Sequence, residues 1–436
     1  MEKKYECPFL HSGFDIAWND KIRACCAVSI KNAELDLCSL KNLTEENIST
    51  YVGDLMGALK KFHENFYCGN IPDTCKKCNL LNLLTISHSY SNKWLGKIDC
   101  ITIKHYKECN LRCYYCDFAI DKEYHPTETR KITLLLDYIL TNNLVTDSFF
   151  VCLSGGEPSI SKHAKELIRY CSLNNIRMTI STNGTNYLDS ITDGINSGLF
   201  SVEISPDAGS AEVYKIMKGK DYFVSVWENI NKYESQTNSQ VQVKFILDTY
   251  NIGDIPNMIE MCVKNKVQRC CLSFNAFIPK EKYLEFKNPV DEFISLCYKN
   301  NLSLVFNPNL PSILYENNEI YKEHYNPFKI FADLYYQSLP KGCNSISIYG
   351  YGSLGKYLKN YFSSKKISVN HVYVTSVQDG IDKNSEALTE FSDNNVEENE
   401  VIIIATLSFR DSVVANIRSK TNKKVVIIEP PLTSFY

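Results

Sequence analysis

Cys109, Cys113 and Cys116 lie in Glu108-Cys-Asn-Leu-Arg-Cys-Tyr-Tyr-Cys-Asp117, a C-x3-C-x2-C spacing. Three thiolates on one short loop suit three corners of a four-iron cubane, whereas a closed [4Fe–4S] site takes four cysteines. A loop that stops at three leaves one iron open to another ligand, which is what a reaction at the metal needs. A structural zinc site takes two pairs of ligands at C-x2-4-C spacing, and no second pair follows nearby. A disulfide with a leftover thiol belongs to an oxidising compartment. The start Met-Glu-Lys-Lys-Tyr-Glu-Cys-Pro has no signal-peptide pattern. Ordinary buried cysteines are the plain alternative.

The elements that must position this loop follow it in order. Phe149-Phe-Val-Cys-Leu-Ser154 predicts a buried strand that runs into Ser154-Gly-Gly-Glu-Pro158. Two glycines after a strand let backbone groups approach a ligand closely, and Glu157 adds an acceptor for an ammonium. A second strand, Ile176-Arg-Met-Thr-Ile-Ser181, ends in Ser181-Thr-Asn-Gly-Thr185, and a third, Leu199-Phe-Ser-Val-Glu-Ile-Ser205, ends in Pro206-Asp207. Short polar groups recur where each strand finishes, with helical segments between the strands. A parallel α/β sheet builds a ligand site at the carboxyl ends of its strands in this way.

Taken together, these motifs resemble the radical S-adenosylmethionine (SAM) enzymes. The resemblance runs from about residue 97 to about residue 311. It rests on the cysteine loop with the aromatic Tyr115 before its last cysteine, on Ser154-Gly-Gly-Glu-Pro158 and on Thr182-Asn-Gly184. It also rests on Glu203-Ile-Ser-Pro-Asp207 with Ala211-Glu-Val-Tyr-Lys-Ile-Met-Lys-Gly219 behind it. The resemblance implies a partial (β/α)6 barrel with a [4Fe–4S] cluster on Cys109, Cys113 and Cys116. SAM would chelate the fourth iron through its amino and carboxylate groups. An electron from a flavodoxin or ferredoxin-type reductant would cleave it to methionine and a 5′-deoxyadenosyl radical, which abstracts hydrogen from substrate. By the same resemblance Tyr115 belongs to the cofactor site, and Gly155, Gly156 and Glu157 hold the methionine amino group. Ser181, Asn183, Ser205 and Asp207 are candidates for the ribose and carboxylate, and Lys218 and Asn251 occupy polar SAM-facing positions. Asn183 and Asp207 also read as turn caps.

The amino-terminal third carries a second set of cysteines. Phe14-Asp-Ile-Ala-Trp18 and Lys21-Ile-Arg-Ala-Cys25-Cys26 predict a hairpin about Asn19-Asp20, and a helix is expected over 45–59. Cys7, Cys25, Cys75 and Cys78 supply four thiolates, the last two as C-x2-C, enough to close an auxiliary [4Fe–4S] cluster. The pattern resembles the SPASM or twitch module of radical SAM enzymes, although that module usually follows the barrel. A structural zinc on the same cysteines is the rival, and Cys26 could replace Cys25.

The carboxyl-terminal part predicts a small Rossmann-like domain. A Pro/Asn/Tyr-rich connection leads to Ser345-Ile-Ser-Ile-Tyr349, which enters Gly350-Tyr-Gly-Ser-Leu-Gly355, a G-x-G-x-x-G with Gly350, Gly352 and Gly355 at a strand-to-helix junction. The turn needs its glycines, and the helix amino terminus is suited to phosphate. About four strands are expected, with helices near 385–391 and 411–420. The second strand ends in Thr375-Ser376, where a ribose-binding acid would be expected of an NAD site. A nucleotide-linked ligand and a docking or dimerisation platform are the leading readings, with catalytic NAD chemistry the least favoured.

The expected division is 1–94 for the cluster module, 95–311 for the barrel, 312–342 for a linker and 343–436 for the Rossmann-like domain. A net charge of −3 over 436 residues gives no reason to expect nucleic acid, and no apolar run reaches the ~20 residues that span a bilayer. Eighteen cysteines without a secretory signal predict a cytoplasmic, reducing setting. The expected function is hydrogen abstraction from a small molecule, a sugar or nucleotide-linked substrate, for oxidation, epimerisation or rearrangement. The alternative is a maturase acting on a peptide or protein; an electron carrier would leave the SAM-type motifs without a role. Lys244 is a candidate proton acceptor or substrate anchor, unless its strand position faces water. Cys152 is a candidate hydrogen donor, unless it is only a small buried hydrophobe.

Overall fold

The computed structural model describes residues 4–6, 13–25, 33–76, 78, 82–84, 96–116, 124–236, 240–350, 353–374, 388–405 and 410–429. Five amino-terminal strands are β1 (Lys4–Glu6), β2 (Gly13–Ala17), β3 (Lys21–Arg23), β4 (Asp36–Ser39) and β5 (Asn82–Leu84), with helices α1 (Ile48–Tyr67) and α2 (Asp73–Lys76) between β4 and β5. The barrel strands follow: β6 (Ile98–Lys104), β7 (Val145–Leu153), β8 (Met178–Thr182), β9 (Phe200–Ile204), β10 (Val241–Leu247), β11 (Arg269–Phe274) and β12 (Ser303–Phe306). Between them run α3 (Thr129–Thr141), α4 (Lys162–Leu173), α5 (Asp189–Asn196), α6 (Ala211–Lys218), α7 (Phe223–Glu234), α8 (Ile255–Lys264) and α9 (Lys287–Lys299).

Six β/α units and the closing β12 lie in parallel and in sequence order, so the expected partial (β/α)6 barrel is present. Its helices are amphipathic. Apolar residues recur at i, i+3, i+4 and i+7: Ile132, Leu135, Leu136 and Ile139 on α3, and Ala164, Leu167, Ile168 and Cys171 on α4. Asn-Asn pairs stop several of them, with Asn143, Asn175 and Asn301 in the left-handed region at φ 53°, 54° and 56°. The strands alternate instead. On β8, Met178, Ile180 and Thr182 are buried while Thr179 and Ser181 are half-buried, and β9 and β10 repeat the pattern. Alternation in a parallel sheet means that helices cover only one face. The other face is the barrel interior.

The predicted hairpin forms, but it joins the barrel. β2 adds to β6 in parallel, and β3 and β4 follow antiparallel, giving one ten-stranded sheet in the order β12-β11-β10-β9-β8-β7-β6-β2-β3-β4. Gly13 permits the join, because a Cβ there would sit 1.9 Å from the Cys100 carbonyl oxygen. α1 then packs Val52, Leu55 and Leu59 into the same core as Ile16 and Ile22.

The carboxyl-terminal strands are β13 (Ser345–Tyr349), β14 (Ser368–Val374), β15 (Leu388–Glu390), β16 (Val401–Ile404) and β17 (Val426–Ile428), with helices α10 (Pro327–Gln337), α11 (Ser353–Ser364) and α12 (Arg410–Lys420). They form a parallel sheet in the order β15-β14-β13-β16-β17, a doubly wound arrangement whose strand order reverses between β13 and β16. Two expectations change. The segment near 385–391, expected as helix, supplies the fifth strand where it is described, because Leu388, Thr389 and Glu390 pair with Val372, Tyr373 and Val374. The stretch expected as linker contains α10, whose Phe331, Ala332 and Tyr335 pack into the core of this domain. The Tyr335 hydroxyl donates to the Ile404 carbonyl at 2.5 Å.

Candidate functional site

The cysteine loop leaves the end of β6 and is gripped from two sides. On one side is the end of β7. Ser154 N–H donates to the Ile103 carbonyl at 3.0 Å, Gly156 N–H to Tyr106 at 3.4 Å and Glu157 N–H to Glu108 at 2.7 Å. A Cβ on Gly156 would lie 2.4 Å from the Glu108 carbonyl oxygen, and Gly155 has φ 113°. The glycine pair is therefore required by backbone-to-backbone packing against the residues that launch Cys109. On the other side is the end of α6. Arg112 N–H donates to the Lys218 carbonyl at 3.0 Å, and a Cβ on Gly219 would come within 2.6 Å of the Arg112 carbonyl oxygen.

A buried polar triad completes the grip. Tyr115 donates to the Asp207 carboxylate, and the Lys218 ammonium donates to both Asp207 and, at 2.7 Å, the Tyr115 hydroxyl. Asp207 and Lys218 are buried, and Asp207 holds φ 56°. The second carboxylate oxygen accepts from Ile246 N–H at 2.7 Å, and Asn251 Nδ2 donates to the Asp207 carbonyl at 3.0 Å. Desolvation pulls the Lys218 pKa down, but Asp207 and then the Cys113 thiol outweigh it, so the ammonium stays charged above its ordinary range. Of the residues expected to face SAM, Tyr115, Asp207, Lys218 and Asn251 are thus joined to one another here.

The thiols suit iron–sulfur ligation. Cys116 N–H closes a turn onto the Cys113 carbonyl at 3.1 Å, which keeps Cys113 and Cys116 on one tight turn. Burial, with Glu157, Cys113 and Cys116 nearby, pushes the Cys109 thiol up to about 11. Metal ligation would displace that proton. Cys109 also receives N–H groups from Leu111 at 3.5 Å and Asn183 Nδ2 at 3.8 Å, the donors that a cluster thiolate accepts. Among the described residues no three His, Cys, Asp or Glu groups converge on a single ion.

The interior face next to the loop carries charge. Glu203 Oε1 accepts from Lys244 Nζ at 2.9 Å and lies 3.5 Å from Ser181 Oγ, while Oε2 accepts from Gln242 Nε2 at 3.0 Å. Desolvation opposes the Lys244 charge, but Glu203 and Cys271 raise its pKa overall, so it is a cation. Cys152 lies level with Thr102 and Thr179 on the same face. Ser205 follows β9, its N–H bonded to the Thr182 carbonyl at 3.4 Å. Glu203 and Gln242 were not singled out by sequence reasoning. Their half-buried alternation along β9 and β10 is the signal that could have found them.

The Radical SAM superfamily profile matches residues 103–262. The chain carries a radical SAM domain. Similar curated proteins include a probable GTP 3′,8-cyclase of Thermococcus kodakarensis, 26% identical over 36% of this chain and 51% of its own length. The Fe-coproporphyrin III synthase of Methanosarcina barkeri is 27% identical over 38% and 41% of the two chains. A mycofactocin maturase of Mycobacterium ulcerans is 24% identical over 36% and 42%. The chain thus spans about half or less of the length of these relatives. A radical SAM domain implies a [4Fe–4S] cluster and SAM, and the loop carrying Cys109, Cys113 and Cys116 fits them.

Cys78 N–H bonds the Cys75 carbonyl at 3.0 Å, and Cys75 packs beside Phe66 and Ile71. Cys25 follows β3, while Cys7 and Cys26 lie outside the described residues. In the second sheet Gly350 has φ 107°, and a Cβ on Gly355 would lie 2.1 Å from the Gly350 carbonyl oxygen. Gly352, Thr375 and Ser376 lie outside the described residues. No described helix is long and apolar enough to cross a membrane.

Proposed function

We propose that the chain cleaves SAM reductively and abstracts hydrogen from a small-molecule substrate, sugar or nucleotide-linked, for oxidation, epimerisation or rearrangement. One observation carries this reading: the cysteine loop, the Ser154-Gly-Gly-Glu turn and the 182–185 turn meet at the strand ends beside a charged interior face. Cys109, Cys113 and Cys116 would hold the cluster, and the backbone of Gly155 and Gly156 would meet the methionine end of SAM. Ser181 and Ser205 border the same opening. The bound cluster supplies the electron that splits the sulfonium to methionine and a 5′-deoxyadenosyl radical.

The chain's own residues then decide what is oxidised. Lys244, held as a cation by Glu203, suits an anionic substrate group better than it suits proton abstraction. Cys152 is a thiol on that face suited to return a hydrogen atom in an epimerisation, with Cys271 beside Lys244 on the same face; an electron from the external reductant, of flavodoxin or ferredoxin type, and a proton from solvent would restore the thiol. Cys7, Cys25, Cys75 and Cys78 would hold an auxiliary [4Fe–4S] cluster or zinc. The Gly350 turn at the head of α11, beside the β13–β16 switch point, would take a nucleotide-linked handle.

A peptide or protein maturase is the second reading, favoured by the likeness to a mycofactocin maturase. Deuterium transfer into 5′-deoxyadenosine from a screened panel separates the two. Label from a sugar nucleotide supports the first, and label from a peptide with none from small molecules overturns it.

A further inference from the structure

Glu157 is wholly buried, and its carboxylate is turned into the protein. Oε1 accepts from Ser159 N–H at 2.9 Å and from the Thr182 hydroxyl at 2.8 Å, and Oε2 accepts from Asn183 N–H at 2.7 Å. Burial raises its pKa, and these donors offset part of that rise. The carboxylate therefore fastens the 182–185 turn to the end of β7.

The Asn183 side chain carries the fastening onward. Its Oδ1 accepts from the Thr185 N–H at 2.9 Å and the Thr185 hydroxyl at 2.8 Å. With the oxygen so occupied, the amide can be oriented only one way, its NH2 toward the cysteine loop. One N–H goes to Asn110 Oδ1 at 2.8 Å, and Nδ2 stands 3.8 Å from Cys109 Sγ. Asn110 Nδ2 returns a bond to Thr185 Oγ1 at 2.8 Å, closing the ring. Every other polar atom in the ring has a partner within the ring, so the remaining amide proton has the sulfur as its acceptor.

We infer that Asn183 donates a hydrogen bond to the Cys109 thiolate that raises the reduction potential of the cluster, and that Glu157 is the positioning residue that holds Asn183 there. An N–H on a thiolate withdraws electron density from the iron it ligates and favours the more negative, reduced cluster. The inference rests on the cysteine loop holding a [4Fe–4S] cluster. It gives Asn183 and Glu157 a role that precedes SAM binding.

The test is an EPR-monitored redox titration of the reconstituted full chain without SAM. Asn183→Asp keeps the acceptor that serves Thr185 and replaces the donor with an anionic oxygen. Asn183→Ser removes the reach to the sulfur, and Glu157→Gln disturbs the fastening. Asn186→Ala is the control, since Asn186 bonds Ser159 on the same turn without facing the sulfur. The expected result is a potential more negative than wild type in Asn183→Asp and Asn183→Ser, a smaller shift in the same direction in Glu157→Gln, and none in Asn186→Ala. A loaded Asn183 variant at the wild-type potential overturns the inference, even if its affinity for SAM falls. Failure of all three variants to load iron also overturns it, because the residues are given no part in ligation. A wild-type chain that takes up no cluster would instead refute the underlying reading of the loop.

Discussion

Lys218 and Asp207 form an ion pair with almost no contact with water, bridged by the Tyr115 hydroxyl. Removing one partner of such a pair leaves an uncompensated charge, at a cost of about 3–5 kcal/mol. Lys218→Met should therefore lower the denaturant midpoint of the iron-free protein strongly. Tyr115→Phe, which loses hydrogen bonds to charged groups, should cost about 1.5–3 kcal/mol. Equal midpoints in wild type and Lys218→Met would show that the triad does not hold the loop. These residues were legible in the sequence as members of motifs, but not in their roles. A motif places Asp207 and Lys218 eleven positions apart without showing that both close on Tyr115. Glu203 stayed hidden for a related reason: its partners Lys244 and Gln242 lie on the next strand, and only the parallel register brings them together.

At the scale of elements, local signals were sound where pairing or packing did not override them. The strand ends carrying Ser154-Gly-Gly-Glu, Ser181-Thr-Asn-Gly and Ser205-Pro-Asp lie where alternation and turn residues put them. The segment around Leu388 was misread because helix propensity is a weak prior, and an open edge on β14 recruits it as a strand. The amino-terminal hairpin was found, but its parallel partner β6 lies more than eighty residues away and leaves no local mark. Glycine positions separate the two kinds of constraint. Gly156→Ala drives a methyl into the Glu108 carbonyl and should cost about 1–3 kcal/mol while impairing iron uptake. Gly53→Ala, within α1 and with open space at its Cβ, should instead stabilise by about 0.5–1 kcal/mol. Thermal melts of the two variants check both signs, and shifts in the same direction would contradict the packing account.

Across the whole molecule, the ten-stranded and five-stranded sheets are joined by a connection that is itself partly structural. α10 buries Phe331, Ala332 and Tyr335 against Ile346, Ile348 and Leu358. A truncation after residue 342 would leave that apolar face uncovered, whereas one after residue 326 removes the helix with its sheet. Light scattering should show the longer fragment aggregating and the shorter one monodisperse; the reverse would place α10 with the barrel. The central claim concerns the barrel alone and is tested there. Anaerobically reconstituted wild-type protein and the Cys109→Ala, Cys113→Ala, Cys116→Ala triple variant are compared for iron and for 5′-deoxyadenosine formed from SAM under reductant. The variant should contain about four fewer irons per chain and form no 5′-deoxyadenosine. Undiminished formation by the triple variant would contradict the assignment of the loop as the cluster site.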